Sequence, residues 1–76
     1  PKPDPMPYVT ACRLLGVSTS QTVVLEDSPT GVRSALAAGC AVVGVPQDSE
    51  LPEHPRLTVV DSLASVDVQM LRSLVA

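Results

Sequence analysis

Thr22-Val23-Val24-Leu25-Glu26-Asp27-Ser28-Pro29-Thr30-Gly31 decides the fold. Its first four residues form a short apolar run without strict alternation. Such a run fits a strand buried on both faces, as in a parallel sheet with helices on both sides. Ser28-Pro29 reads as a helix start, because serine caps well and proline suits the first helical position. Glu26 and Asp27 therefore stand where a strand hands over to a helix. In parallel sheets ligands bind outside the carboxyl ends of the strands. Two adjacent carboxylates there are costly without a positive counterpart. The simplest candidate is a hard divalent cation such as Mg²⁺, which prefers oxygen ligands and often bridges to a phosphate. Acids at a helix start also cap it and meet its dipole. The pair alone leaves both roles open.

The flanking residues extend the same architecture. Upstream, Asp4-Pro5 is an N-cap followed by a first-turn proline, and Tyr8, Val9, Ala11, Cys12 and Leu15 form an apolar face at helical spacing. Gly16 is a natural stop, and Val17 to Gln21 is a polar loop. Downstream, Val32, Ala35, Leu36 and Ala38 continue the second helix to Gly39, and residues 40–45 form a second apolar run ended by Pro46. Residues 46–56 carry three prolines and mixed charges and read as a loop. Leu57 to Val60 is a short third strand, Asp61 to Ser65 a turn, and the final helix turns Val68, Leu71 and Val75 inward. The expected strands are 22–26, 41–45 and about 57–60, and the expected helices 5–15, 29–38 and about 67–75. The β-α-β unit over 22–45 is expected to join parallel strands by a right-handed crossover. The fold class is thus α/β, part of a doubly wound parallel sheet.

Composition narrows the function. The chain has 76 residues, enough for one small domain. It carries 5 basic and 8 acidic residues, a net charge of −3. No basic stripe exists, so nucleic acid is not an expected partner. No run approaches membrane-spanning length and no signal peptide is visible. With one Tyr and no Phe or Trp, the core has to be built from Val, Leu and Ala. Cys12 and Cys40 lie in no metal-binding spacing and read as small buried hydrophobes in a reducing cytoplasm. The opening Pro1-Lys2-Pro3-Asp4-Pro5, without an initiator Met, looks like the middle of a longer protein.

Lys2 lies 24 residues before Glu26 and just before the first helix. In a doubly wound sheet all strand-to-helix loops open on one edge, so Lys2 is expected beside the acidic pair. A lysine there offers a compact charge to a phosphate or carboxylate. A solvated surface lysine is the ordinary alternative, but Pro1 and Pro3 on either side favour a positioned role.

The pattern K-P-D-P-x-x-Y at residues 2–8, followed by V-V-L-E-D-S-P-T-G-V-x-x-A-x-x-A-G at residues 23–39, resembles motifs III and IV of the haloacid dehalogenase (HAD) superfamily. The nearest group is that of β-phosphoglucomutase and small sugar-phosphate phosphatases. The likeness is close over residues 1–45 and looser beyond. It implies a Mg²⁺-dependent phosphatase or phosphomutase acting on a small phosphorylated metabolite through an aspartyl-phosphate. By the same resemblance Lys2 bridges the nucleophilic aspartate and the transferred phosphoryl group, as a catalytic and substrate-binding residue. Asp27 is a Mg²⁺ ligand, and Glu26 is its acidic partner in or beside the metal shell. Ser28 and Thr30 are supporting loop residues that orient metal-bound water, and Gly31 lets the helix approach the sheet.

The departures are large. No D-x-D follows an apolar strand to supply the family's nucleophile and general acid/base; Asp48 and Asp61 lie in or beside loops. The phosphate-binding Ser/Thr of motif II and the substrate-selecting cap domain are also unmatched. The chain therefore resembles the C-terminal part of such an enzyme, inactive by itself, with the missing N-terminal part of the same protein as its first partner. The missing nucleophile strand belongs directly beside strand 22–26. Two other classes stay open: a receiver-like signalling module, and a structural fragment without activity. His54, between Pro52 and Pro55, reads as a solvated loop histidine, and Arg33 as a surface residue or one facing the cleft.

Overall fold

The structure, a computed structural model, describes residues 3–46 and 50–75. Three helices and three strands follow in the order α1 (Met6–Leu15), β1 (Val23–Glu26), α2 (Pro29–Ala37), β2 (Ala41–Gly44), β3 (Leu57–Val59) and α3 (Val68–Ser73). Single 3-10 turns at Thr19–Gln21 and Leu63–Ser65 precede β1 and α3. The sheet order is β1-β2-β3, and both pairings are parallel. Val23 pairs with Ala41 and Glu26 with Gly44; Val42 pairs with Leu57 and Gly44 with Val59. The expected α/β architecture is therefore present. The ladder runs one residue past each assigned strand end: Val45 N–H donates to the Glu26 carbonyl and Val60 N–H to the Gly44 carbonyl, both at 3.0 Å.

The core forms where α2 lies on β2. Val32, Ala35, Cys40 and Val42 are fully buried, and Tyr8, Val24, Leu36, Ala38, Leu51 and Leu57 pack around them. Each buried Val contributes roughly 1.5–3 kcal/mol relative to exposure. Small side chains on α2 let the helix settle close to the sheet. Every residue of β2 is buried, because the strand has a neighbour on each side. β1, with a similar apolar run, has only β2 beside it among the described residues, and Leu25 is 44% exposed.

Caps end the helices much as the side chains suggest. Ser28 Oγ accepts from Gly31 N–H at 3.0 Å, and Asp67 Oδ1 from Met70 N–H at 2.8 Å. Gly16, at φ 72°, closes α1 in the left-handed region open to glycine. Three expectations need correction. α1 begins one residue late: Pro5 is the cap residue and its carbonyl receives the Val9 N–H, while Asp4 Oδ1 takes the Met6 N–H at 2.9 Å. Pro5 and Pro7 lack N–H groups, so this start leaves fewer donors to satisfy. Leu15 and Ala11 are exposed and do not join the inward face of α1, which narrows to Tyr8, Val9 and Cys12. Val68 is 61% exposed at the first position of a helix shorter than expected; Leu71 and Val75 are half-buried as expected, and Met70 joins them in place of Val68.

Candidate active site at the carboxyl edge of the sheet

All three parallel strands end on one edge, and a cavity of about 440 Å³ opens there. Leu25, Glu26 and Asp27 from the end of β1 line it, with Val45 beyond β2 and Asp61, Ser62 and Leu63 beyond β3. This is the position where open α/β sheets take ligands. Three carboxylates at its walls make it acidic.

Glu26 is the organising residue. It is half-buried at the last position of β1. Its Oε2 accepts from the Tyr8 hydroxyl at 2.9 Å. Its Oε1 accepts from two backbone amides, Asp27 N–H at 3.1 Å and Ser28 N–H at 3.2 Å. The carboxylate thus curls back over the turn and gathers the backbone on which Asp27 sits. Burial pushes its pKa up, but the Ser28 amide, the Tyr8 hydroxyl and the Asp27 amide outweigh burial and hold it below the ordinary glutamate value. Burial first, and then its bond to Glu26 and the negative charge there, push the Tyr8 phenol up, so the pair is a neutral phenol donating to an ionised carboxylate.

Gly31 belongs to the same arrangement. A Cβ built on it would collide with the Glu26 carboxylate. The close approach at this glycine is thus made by a side chain at the strand end as well as by the helix. Ser28 spends its oxygen on the α2 cap, and Thr30 is exposed on the first turn; neither lines the cavity. Asp27 is exposed and faces the cavity from the rim.

The structure brings Glu26 and Asp27 together at the expected edge. Lys2, like Asp48, lies outside the described residues. The Tyr8–Glu26 bond nonetheless puts the first turns of α1 beside the acidic turn. Arg33 is exposed, and His54 is an exposed loop residue whose Nδ1 accepts from Arg56 N–H at 3.0 Å.

Two contributions escaped the sequence reading. Asp61 and Ser62 follow β3 at the same edge, and the rule that singled out Glu26-Asp27 applies to the end of any parallel strand. Tyr8 carried its own signal as the lone aromatic of the chain.

The donor set suits a hard cation only in part. Among the described residues no three His, Cys, Asp or Glu side chains group closely enough to hold a metal alone. Mg²⁺ typically takes one or two carboxylates, substrate phosphate and several waters. An exposed Asp27 beside an ionised Glu26 meets that requirement.

The match to a family model, "Haloacid dehalogenase-like hydrolase", covers residues 1–45, which hold α1, the acidic turn, α2 and β2. The chain belongs to this family. HAD membership sets aside the receiver-like alternative. The chain is 45% identical over 60 residues to hexitol phosphatase A of Escherichia coli, an alignment covering 79% of this chain and 26% of that protein. It is 50% identical over 44 residues to validoxylamine A 7'-phosphate phosphatase of Streptomyces hygroscopicus, covering 58% and 21%. A crystal structure of a family IA, variant 3 HAD hydrolase from Entamoeba histolytica superposes with a TM-score of 0.78 at 28% identity, over 99% of this chain and 35% of that one. The chain thus spans about a quarter of the length of the curated relatives it matches.

Proposed function

We propose that the whole protein is a Mg²⁺-dependent HAD phosphatase or phosphomutase acting on small phosphorylated metabolites such as sugar phosphates. The observation that carries this reading is the acidic turn at the carboxyl edge of the parallel sheet, with Asp27 exposed to the cavity and Glu26 locked beneath it. The likeness to hexitol phosphatase A and to validoxylamine A 7'-phosphate phosphatase supports the substrate class.

Phosphoryl transfer depends on positioning and on neutralising charge around the phosphoryl oxygens. In this reading Asp27 is a metal ligand and Glu26 completes or supports the shell. A bound Mg²⁺ would supply positive charge to neutralise the phosphoryl oxygens. Lys2 adds a second, compact charge and ties the phosphoryl group to the attacking carboxylate. Ser28 and Thr30 support the loop. The nucleophilic aspartate and the cap come from the rest of the same polypeptide, so residues 1–76 alone are inert. The free, buried cysteines Cys12 and Cys40 fit a reducing, cytoplasmic setting. Among the described residues no helix is long and apolar enough to cross a membrane.

The test is phosphate release from a panel of hexitol and sugar phosphates by the whole protein, with Mg²⁺ and with EDTA. We expect turnover that EDTA abolishes and that Lys2→Ala lowers about 100-fold or more, the scale of losing one charge-stabilising group. Turnover indifferent to both would refute the assignment.

A further inference from the structure

We propose that Tyr8 is a positioning residue that sets the Mg²⁺ affinity of the site through Glu26. This inference rests on the Mg²⁺ reading of Asp27 and goes beyond it, because Tyr8 does not line the cavity.

The physical link is short and continuous. Tyr8 is half-buried on α1 and packs against the core, so its ring is anchored. Its hydroxyl donates to Glu26 Oε2 at 2.9 Å from a position 18 residues away in sequence. That bond fixes one oxygen of the carboxylate. The other oxygen then faces the two amides of Asp27 and Ser28. These amides begin the turn from β1 into α2, and the Asp27 side chain leaves the backbone there. Gly31 also bounds the carboxylate, since even a methyl group there would displace it. Glu26 is thereby held by a phenol, two amides and a steric wall. Of these, the phenol alone comes from outside the turn. Removing it frees the carboxylate to rotate, and the Asp27 backbone loses its fixed anchor. A metal ligand on a looser turn binds its cation more weakly, because binding must then order the turn.

Glu26 carries negative charge against this donor, and hydrogen bonds to charged groups are stronger than neutral ones. The chain has no other tyrosine and no Phe or Trp to substitute for it. A purely packing role for Tyr8 makes a different prediction, since phenylalanine preserves packing.

The experiment measures the Mg²⁺ dissociation constant of the whole protein by titration calorimetry, without substrate. The variants are Tyr8→Phe, Glu26→Gln, the double variant and Asp27→Asn, each checked by circular dichroism. Tyr8→Phe keeps the ring and therefore the fold. We expect it to raise the constant about tenfold, the scale of one charge-assisted hydrogen bond. In the Glu26→Gln background the same change is expected to add less than about twofold, because the two residues act as one unit. An unchanged constant for Tyr8→Phe overturns the proposal, and so does an equal effect in both backgrounds. Asp27→Asn separates the two readings. If it abolishes Mg²⁺ binding while Tyr8→Phe changes nothing, this inference alone fails. If it too leaves binding unchanged, the Mg²⁺ reading of the acidic turn fails.

Discussion

β1 and β2 have nearly the same chemistry and different surroundings. Val23–Glu26 and Ala41–Gly44 are four-residue parallel strands paired in register. Every residue of β2 is buried, whereas Val23 and Val24 are half-buried and Leu25 is 44% exposed. The difference follows from position in the sheet. β2 has β1 on one side and β3 on the other, while β1 has only β2 among the described residues. An apolar run thus specifies a strand suited to burial on both faces, but its neighbours decide how much burial it achieves. The acidic turn stands at the carboxyl end of β1. The resemblance to HAD enzymes puts the nucleophile strand along the flank of β1 that β2 does not occupy.

The strongest way to break this comparison is to charge the central strand. Val43→Asp puts a carboxylate at a fully buried site with no partner, and we expect loss of folding by circular dichroism. Val42→Ala is the graded version: about 2 kcal/mol of stability lost in urea melts of the whole protein, from two missing methyl-scale groups and the cavity left behind. Gly31→Ala comes next. Its added methyl collides with the Glu26 carboxylate, and we expect a loss of about 1–3 kcal/mol. Leu25 sharpens the comparison most. With β1 flanked only by β2, Leu25→Ala costs under about 1 kcal/mol, as for a part-exposed side chain. With a further strand and its helices in place in the whole protein, the cost rises toward that of Val42→Ala. Equal, small costs in both settings would show that nothing covers β1. By the same logic the 76-residue chain alone is expected to associate on gel filtration through its open edge; a monomer with a cooperative melt would contradict this.

The smallest effect is on acid stability. The Glu26 carboxyl is held below its ordinary value in the folded chain. Its contribution is therefore complete above the unfolded-state pKa, roughly 4.3, and is lost as pH falls through the lower folded value. Glu26→Gln is expected to flatten that part of the acid limb and leave its slope above about pH 6 unchanged. A steeper acid limb in the variant would reverse the sign.

The fold was legible because its signals are local. Ser28-Pro29, Gly16 and the two Val-rich runs each act through neighbours in sequence, and all lie where they were expected. The corrections came from tertiary context. Leu15 and Val68 fit an apolar stripe by spacing, yet no element of the described structure covers them. The site divides in the same way. Glu26-Asp27 is visible as a strand end followed by a helix start. The Tyr8 bond to Glu26 spans 18 residues and appears only once α1 is docked. Asp61 joins the cavity only once β3 pairs in parallel with β2.

The most direct measurement is Mg²⁺-dependent phosphate release by the whole protein with Asp27 replaced by Asn. The amide keeps the size of the side chain and removes the charge that balances the cation. We expect turnover to fall about 100-fold or more at ordinary Mg²⁺, with circular dichroism and melting unchanged, because Asp27 is exposed. Wild-type turnover in that variant, under Mg²⁺ that remains essential, would contradict a metal-ligand role for Asp27.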